Sequence, residues 1–518
     1  HVVRGALASN SGQTATAAGL FGAYRAMRII EGASPSELPQ FIPPPVGIAI
    51  NEGTALACNV TINEPLRVAA EIVPYKRTST ELLPASEAVG QALLANPGYQ
   101  AKLDIIKTAE HSVRAERSNY FPQVELRAEA RRVDNNSVTN SFDEVSNGQY
   151  FLGLSIEQKL FSPATKKQIL SAKMNKELEA ARANVASLEL ERAVHHAYLG
   201  YLQADERILI ESDIRRYIDR FLERAFTGNQ LGILPAEETL RWETERFAQV
   251  ERVAVARADL AGARARLNLL LGRTPEILFE LIREDFSQKK LMADFGRLRP
   301  VLFTDDARAQ AASQLVAAAI LTSPELVTID SRLALEDAQS AANRARYWPE
   351  ISVGAQARLA DRLADRPGFD EKLSSWTIAA KFDWSLFDGG KRRQIGRALD
   401  SERSAIEYAR DQQLIELSAD LHISLARLTS ELISQAASAQ AETRADEYFK
   451  LMVSEVGVSR VELLDGLHEA RKTRLAELRT RFDYHRTMTD ITRLIGWSPY
   501  SLNALPHNAI VSYLTTGQ

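Results

Sequence analysis

Glu462 and Asp465 stand three residues apart in the run Val461-Glu462-Leu463-Leu464-Asp465, so both carboxylates fall on one face of a helix. Alone, such a pair is a solvated acidic face. Repeated around the axis of a symmetric oligomer, it becomes a ring that attracts cations and repels anions. Other candidate chemistry is sparse. The sequence holds no phosphate-binding loop, no His-Glu-x-x-His and no Gly-x-Ser-x-Gly turn. His195 and His196 are adjacent, point to different faces of a helix and make no i, i+4 metal pair. They and the other scattered histidines are expected at the surface. Cys58 is the single cysteine, so an intrachain disulfide and a thiolate metal cluster are both excluded. The expectation is a protein that is not an enzyme and needs neither cofactor nor metal.

Composition narrows the class further. Of 518 residues 25% are charged and the net charge is -4. No basic excess speaks for nucleic acid. No run of eighteen or more apolar residues occurs, so a membrane-spanning helix is not expected. The first residue is His1 and no charged-then-apolar leader follows. Either a leader was removed or the chain is a fragment, and the opening residues read as the middle of a domain.

The elements that must position the acidic pair come in two copies. Asn96-Pro97 begins a helical run that stops at Tyr120-Phe121-Pro122-Gln123; Ser323-Pro324 begins another that stops at Tyr347-Trp348-Pro349-Glu350. After each stop come an alternating strand, a polar loop and a second alternating strand. The second strand ends in Leu160-Phe161-Ser162-Pro163 in one copy and Leu386-Phe387-Asp388-Gly389-Gly390 in the other. Pro122 and Pro349 cannot continue a helix and turn the chain to extended geometry; Pro163, Gly389 and Gly390 mark the return. Long helices follow. Leu170, Met174, Leu178, Ala181, Val185 and Leu188 step by three and four, as do Leu414, Leu417, Leu421, Leu425, Leu428 and Leu432. The stripes are narrow and flanked by charge, which suits lateral coiled-coil packing. From Pro163 onward the first long helix can run roughly 90 Å.

Each strand alternates. Val124, Leu126, Ala128 and Ala130 oppose Glu125, Arg127, Glu129 and Arg131; Leu152, Leu154, Ile156 and Leu160 oppose Gly153, Ser155, Glu157 and Lys159. The second copy reads Ile351, Val353, Ala355, Ala357, then Trp376, Ile378, Ala380, Phe382, Trp384, Leu386. Strands of about nine to eleven residues suffice to cross a bilayer when tilted, and Phe382, Trp384 and Phe387 suit a headgroup boundary. The same alternation also fits a soluble hairpin packed on a helix. Four strands cannot close a barrel of useful size, so strands in a membrane would have to be shared; three chains would contribute twelve. Each long helix breaks once more, at Thr227 to Pro235 and at Val453 to Arg460, with Pro235 expected at a first helical position.

Taken together, Ala95-Asn96-Pro97, Phe121-Pro122-Gln123, Leu386-Phe387-Asp388-Gly389-Gly390-Lys391-Arg392 and the tip Ser459 to Gly466 resemble the outer membrane efflux proteins of the TolC-like class, over about residues 80–500. The resemblance implies a mainly α fold with two β-hairpins: a duplicated long-helix coiled-coil or α-barrel unit with four strands per chain. It implies a homotrimer with a twelve-stranded transmembrane β-barrel in outer-membrane lipid and a helical part in the periplasm of a Gram-negative bacterium. The implied activity is a passive exit duct of a tripartite efflux pump or type I secretion system, with a periplasmic adaptor and an inner-membrane pump as partners. By position, Leu231, Gly232, Val456 and Gly457 match adaptor-docking tips, and Glu462 and Asp465 match the closed periplasmic entrance. The second tip departs by about one residue from the family spacing.

Residues 1–75 resemble something else. Ile30 to Pro39 and Ile50 to Ala55, after a helix expected at Ala15–Glu31 and an apolar strand at Val46–Ile50, are similar to the C-terminal end of an ABC-transporter substrate-binding protein. The expected division is therefore a partial α/β segment 1–75, a linker 76–85, repeat 1 at 86–272, a connector 273–308, repeat 2 at 309–497 and a tail 498–518. The alternatives are a soluble periplasmic coiled-coil scaffold, and a solute-binding module from the N-terminal segment.

Overall fold

The computed structural model describes residues 8–10, 48–51, 70–73, 81–132, 148–283, 286–362, 373–454, 460–498 and 506–516. The N-terminal segment contributes β1 (Ala8–Asn10), β2 (Ile48–Asn51) and β3 (Ala70–Val73), with β2 antiparallel to β1 and parallel to β3. The helix expected at Ala15–Glu31 and most of the substrate-binding-like motif lie outside the described residues. Repeat 1 runs through β4 (Glu81–Leu83), α1 (Ala85–Ala95), α2 (Pro97–Ser118), β5 (Gln123–Arg132), β6 (Gly148–Phe161), α3 (Pro163–Gln230) and α4 (Ala236–Leu270). Next come β7 (Phe279–Leu281) and α5 (Gln288–Leu302). Repeat 2 has α6 (Asp305–Thr322), α7 (Pro324–Ala345), β8 (Glu350–Arg362), β9 (Leu373–Asp383), α8 (Lys391–Ser454) and α9 (Arg460–Ile495), followed by α10 (Pro506–Thr516).

The long helices have visible local causes. Ser162 caps α3, its side chain accepting from the Thr165 N–H, and Pro163 occupies the first turn, where a missing N–H costs nothing. With 68 residues α3 reaches about 100 Å. Asn96 caps α2 in the same way. Glycine ends the shorter of the two longest helices in each repeat. Gly272 and Gly496 sit at φ 68° and 81°, and the bonds Arg273 N–H to Asn268 O and Trp497 N–H to Thr492 O, 2.8 and 3.0 Å, close the last turn. A Cβ at either glycine would run into backbone, the Ala95 carbonyl in one repeat and the Thr322 carbonyl in the other. Those two residues immediately precede Asn96-Pro97 and Ser323-Pro324, so the duplication extends to a matched close approach.

Several boundaries differ from the sequence reading. The polar stretch expected as a linker holds β4, which pairs in parallel with β7 and buries Leu83 completely. The connector holds β7 and α5. The tail forms α10, whose Ile510, Val511 and Leu514 join a core with Leu291, Leu315, Leu421 and Ile491. A second core gathers Val89, Tyr198, Leu202, Leu267 and Phe286. A third, nearer the tips, stacks Phe221 on Trp242 beside Ile218 and Phe449. Among the described residues, Asp305–Ala345 is apolar enough by length and composition to cross a membrane, which the sequence reading excluded. Ser323-Pro324 divides it into two helices, however, and Ala311, Leu315, Ala319 and Leu326 are buried in the first core.

The helices stack laterally. α3 packs on α2 and α7, and further along on α4 and α9; α8 packs on α7 and α9. The four long strands make one antiparallel sheet in the order β5-β6-β8-β9, which leaves β5 and β9 as its two edges.

Candidate functional site

The sheet register decides what each face carries. Val124, Ile156, Ala355 and Ile378 are successive cross-strand partners, and so are Leu126, Leu154, Ala357 and Trp376. Directly opposed residues point to the same side. One face is therefore apolar across all four strands, and it is uncovered: Val124, Leu126, Leu154, Trp376 and Ile378 are exposed, Trp376 at 77%. The other face carries Glu125, Arg127, Ser155, Glu157, Gln356, Arg358 and Lys381. There Phe151 lies over Gly153, where a Cβ would collide with its ring, and the Arg358 guanidinium sits 5.5 Å above that ring. A bulge between Lys159 and Phe161 shifts the register at the end of β6, so Phe161, not Leu160, pairs with Ile351.

At the sheet's helical end lies an aromatic band. Phe121, Trp348, Trp384 and Phe387 are all exposed, and the Trp384 indole donates to the Tyr347 carbonyl at 3.0 Å. Phe382, Trp384 and Phe387 were expected there. Phe121 and Trp348 were not singled out, although each precedes the proline that stops its helix.

The expected switch residues have different partners in each copy. Pro122 precedes β5, Pro349 precedes β8 and Pro163 opens α3. Gly389 and Gly390 take φ 69° and 84° before α8, a backbone that glycine adopts without strain. In repeat 2, Arg392 is buried and reaches Asp388 Oδ2, Arg346 O and Ser385 O, each at 2.8 Å, while lying 4.4 Å over the Tyr347 ring. In repeat 1 the corresponding ties are the Ser162 hydroxyl donating to Glu350 and Tyr120 Oη donating to Ser162 O.

At the first tip, Leu231 is buried and Gly232 takes φ 68°. Gly232 N–H donates to Asn229 O and Ile233 N–H to Gly228 O, closing the helix end. The Leu231 side chain thus faces the helices rather than a partner, and Ile233 is the exposed apolar residue. Pro235 is the N-cap of α4, one place earlier than expected. At the second tip, Val456 and Gly457 lie outside the described residues. Glu462 and Asp465 are both exposed in the first turns of α9. Just beyond them Gly466 lets α9 approach α8, since a Cβ there would touch Met452 Sδ at 3.0 Å.

Sequence reading missed the buried polar seam between α3 and α9. Glu211 is fully buried and receives Arg471 Nε at 2.9 Å, Arg471 Nη2 at 2.8 Å and Gln249 Nε2 at 2.7 Å. Burial works against its charge, but the Arg471 and Gln249 hydrogen bonds outweigh it and hold the carboxyl below its ordinary value. Higher up, Arg192 and His196 flank Asp490 at 2.6 and 3.1 Å. Arg481 meets Glu206, and Arg493 meets Glu189 at 2.9 Å. His195, expected at the surface, is buried and bonded to Thr489 Oγ1 at 2.6 Å, because α9 covers that face of α3. Among the described residues no His, Cys, Asp or Glu group could hold a metal.

Comparison with known proteins agrees with this architecture. The family model described as "Outer membrane efflux protein" matches residues 88–273 and 315–497. No curated protein matches the sequence. Among solved structures, a membrane protein from Pseudomonas aeruginosa is 18% identical with TM-score 0.61, covering 79% of this chain and 93% of that one. The Campylobacter jejuni CmeC outer membrane channel is 13% identical with TM-score 0.61, covering 84% of this chain and 90% of that one. The open-state Neisseria gonorrhoeae MtrE outer membrane channel is 16% identical with TM-score 0.59, covering 80% of this chain and 88% of that one. At such identities the likeness establishes the fold.

Proposed function

The chain belongs to the outer membrane efflux protein family, and from that premise we propose that it is the passive outer-membrane exit duct of a tripartite efflux pump. The observation that carries the reading is the apolar face running unbroken over β5, β6, β8 and β9, uncovered and backed by a polar face. In hydrocarbon an open sheet edge would leave backbone N–H and C=O groups unsatisfied. The edges of β5 and β9 must therefore pair with other copies, and three copies give a twelve-stranded barrel, an even number of the kind such barrels use. The apolar face then meets lipid, the polar face lines the water-filled lumen, and the aromatic band sits at the headgroups. Exposure of large apolar side chains on one whole sheet face speaks against a soluble scaffold.

The helices continue the lumen through the periplasm. The Gly232 turn, with Ile233 exposed beside it, and the residues Val456 and Gly457 between α8 and α9 form the adaptor-docking end, and an inner-membrane pump supplies direction and energy. Glu462 and Asp465 repeat around the axis at the closed entrance, where a ring of like charge holds cations and repels anions. The test is single-channel conductance of the full chain in planar lipid. A low resting conductance is expected, with a higher leak in Glu462→Ala/Asp465→Ala. No conductance from the wild-type chain would overturn the duct; an unchanged double variant would overturn the gate.

A further inference from the structure

On the polar face of the sheet the register puts Arg127, Gly153, Arg358 and Ser375 on one rung across β5, β6, β8 and β9. Gly153 sets no side chain between the two arginines. The Phe151 ring lies over it instead, and the Arg358 guanidinium sits 5.5 Å from the centre of that ring. The aromatic face attracts the cation, and the planar guanidinium keeps N–H donors around its edge for an acceptor. Three other cations of this face are already answered within the chain. Arg127 meets Glu125, Lys159 meets Glu350 and Lys381 meets Asp383, each at 3.0 Å. Arg358 meets no carboxylate among the described residues, and it is exposed. Of the carboxylates on nearby rungs, Glu125 is held by Arg127 and Glu157 accepts from the Ser352 hydroxyl at 3.1 Å; Glu129 stands opposite Phe151, two strands from Arg358.

We propose that the Arg358 rung is an anion-selective filter in the duct, and that the solutes it favours carry a carboxylate, sulfonate or phosphate group. The proposal rests on the reading of the chain as a duct and names the charge class of its cargo. With the polar face lining the lumen, three copies set three Arg358 guanidiniums at one height, each backed by a phenylalanine ring. A ring of like charge in a water-filled pore concentrates counter-ions and repels co-ions. The rung lies deep in the sheet, since β8 runs about 27 Å from Glu350 at the helical end to Arg358. The 64 residues of α8, about 95 Å of helix, then separate the sheet from the second tip. That is many Debye lengths, each about 10 Å at 0.1 M salt. The basic rung and the acidic pair Glu462 and Asp465 therefore act on a passing solute independently, one towards each end of the molecule.

The reversal potential of the full chain in planar lipid, under a KCl gradient, tests it. The Glu462→Ala/Asp465→Ala chain is measured alone and with Arg358→Lys, Arg358→Gln or Arg358→Glu added, so the entrance is the same in every case. Chloride is expected to permeate more readily than potassium with arginine or lysine at this position. The preference should vanish with Arg358→Gln, reverse with Arg358→Glu, and shrink in every case as salt rises. The planar trianion benzene-1,3,5-tricarboxylate should reduce the current of the arginine-bearing chain and leave that of Arg358→Glu unchanged. If channels form but all four chains share one reversal potential, or the trianion blocks none of them, the filter is overturned and the duct stands. A preference lost equally in Arg358→Lys would mark a packing role against Phe151 and overturn the filter too. No conductance from any chain would overturn the duct and the filter together.

Discussion

At Gly272 and Gly496 the two repeats solve one backbone problem identically; at the flanks of their helices they diverge. Both glycines take the left-handed turn against a backbone carbonyl, and no side chain fits there. The carbonyls near the two turns are also matched: Asn96 Nδ2 donates to Leu270 O at 2.9 Å and Thr322 Oγ1 to Ile495 O at 2.6 Å. Yet α9 presents Arg471, Arg481 and Arg493 to α3, whereas α4 presents Phe247, Arg257 and Leu269 at the corresponding places. Duplication preserved what the backbone demands and released the side chains to suit each partner. The chain's own seam became an ionic one, and the matching places on α4 carry hydrocarbon as well as arginine.

Removing Glu211 should break that comparison most strongly. Glu211→Ala strands Arg471 and Gln249 beside a buried gap, a loss of about 3–5 kcal/mol, read as a lower unfolding midpoint in detergent. Ala437→Leu, at the matching place on α8, should change it little. The pH dependence has a fixed sign. The folded pKa values of Glu211 and Asp490 lie below their ordinary values; for both, burial opposes the charge and the bonds to Arg471 and Gln249, or to His196 and Arg192, outweigh it. Their stabilisation is present above the unfolded carboxylate pKa of about 4 and is lost as pH falls through the lower folded values. Hydrogen exchange under acid should therefore rise in α9 before it rises in α4, and simultaneous loosening would count against the contrast.

The glycines give the next effect. Gly272→Ala and Gly496→Ala should each cost about 3 kcal/mol, since a left-handed alanine costs about 1–2 kcal/mol and the carbonyl must also move. Gly232→Ala has the same φ but open space around it, so about 1 kcal/mol is expected. Equal midpoints for all three variants would show that the matched close approach has no energetic weight. The sheet gives a third comparison between its faces. Ile378→Arg or Val353→Arg, on the apolar face, should hinder membrane assembly by roughly 2–4 kcal/mol near the midplane. Thr377→Arg, on the opposite face, should assemble normally. Normal assembly of Ile378→Arg and Val353→Arg together with failure of Thr377→Arg would mean that the faces are reversed; normal assembly of all three would mean that neither face meets lipid.

Much of this was legible in the sequence because it depends on neighbours along the chain. Alternation gives the strand faces, Pro122, Pro163 and Pro349 give the switches, and the leucine stripe of α8 gives its buried face. What escaped depends on residues far apart. Glu211 and Arg471 lie 260 positions from each other, and neither carries a local sign that it will be buried. His195 read as a surface residue because nothing nearby reveals that α9 covers it. Leu231 was placed at the tip by its match to the family's turns, and its burial depends on the closing turn that folds it inward. β4 escaped because three residues between polar neighbours show no period until β7 pairs with them.

The central claim is that the open strand edges of β5 and β9 are completed by two further copies in a membrane. Light scattering of the full chain, with and without detergent, tests it most directly. A discrete particle of three chains that forms only in detergent is the predicted result. A soluble monomer or dimer of the same mass in both conditions would contradict it.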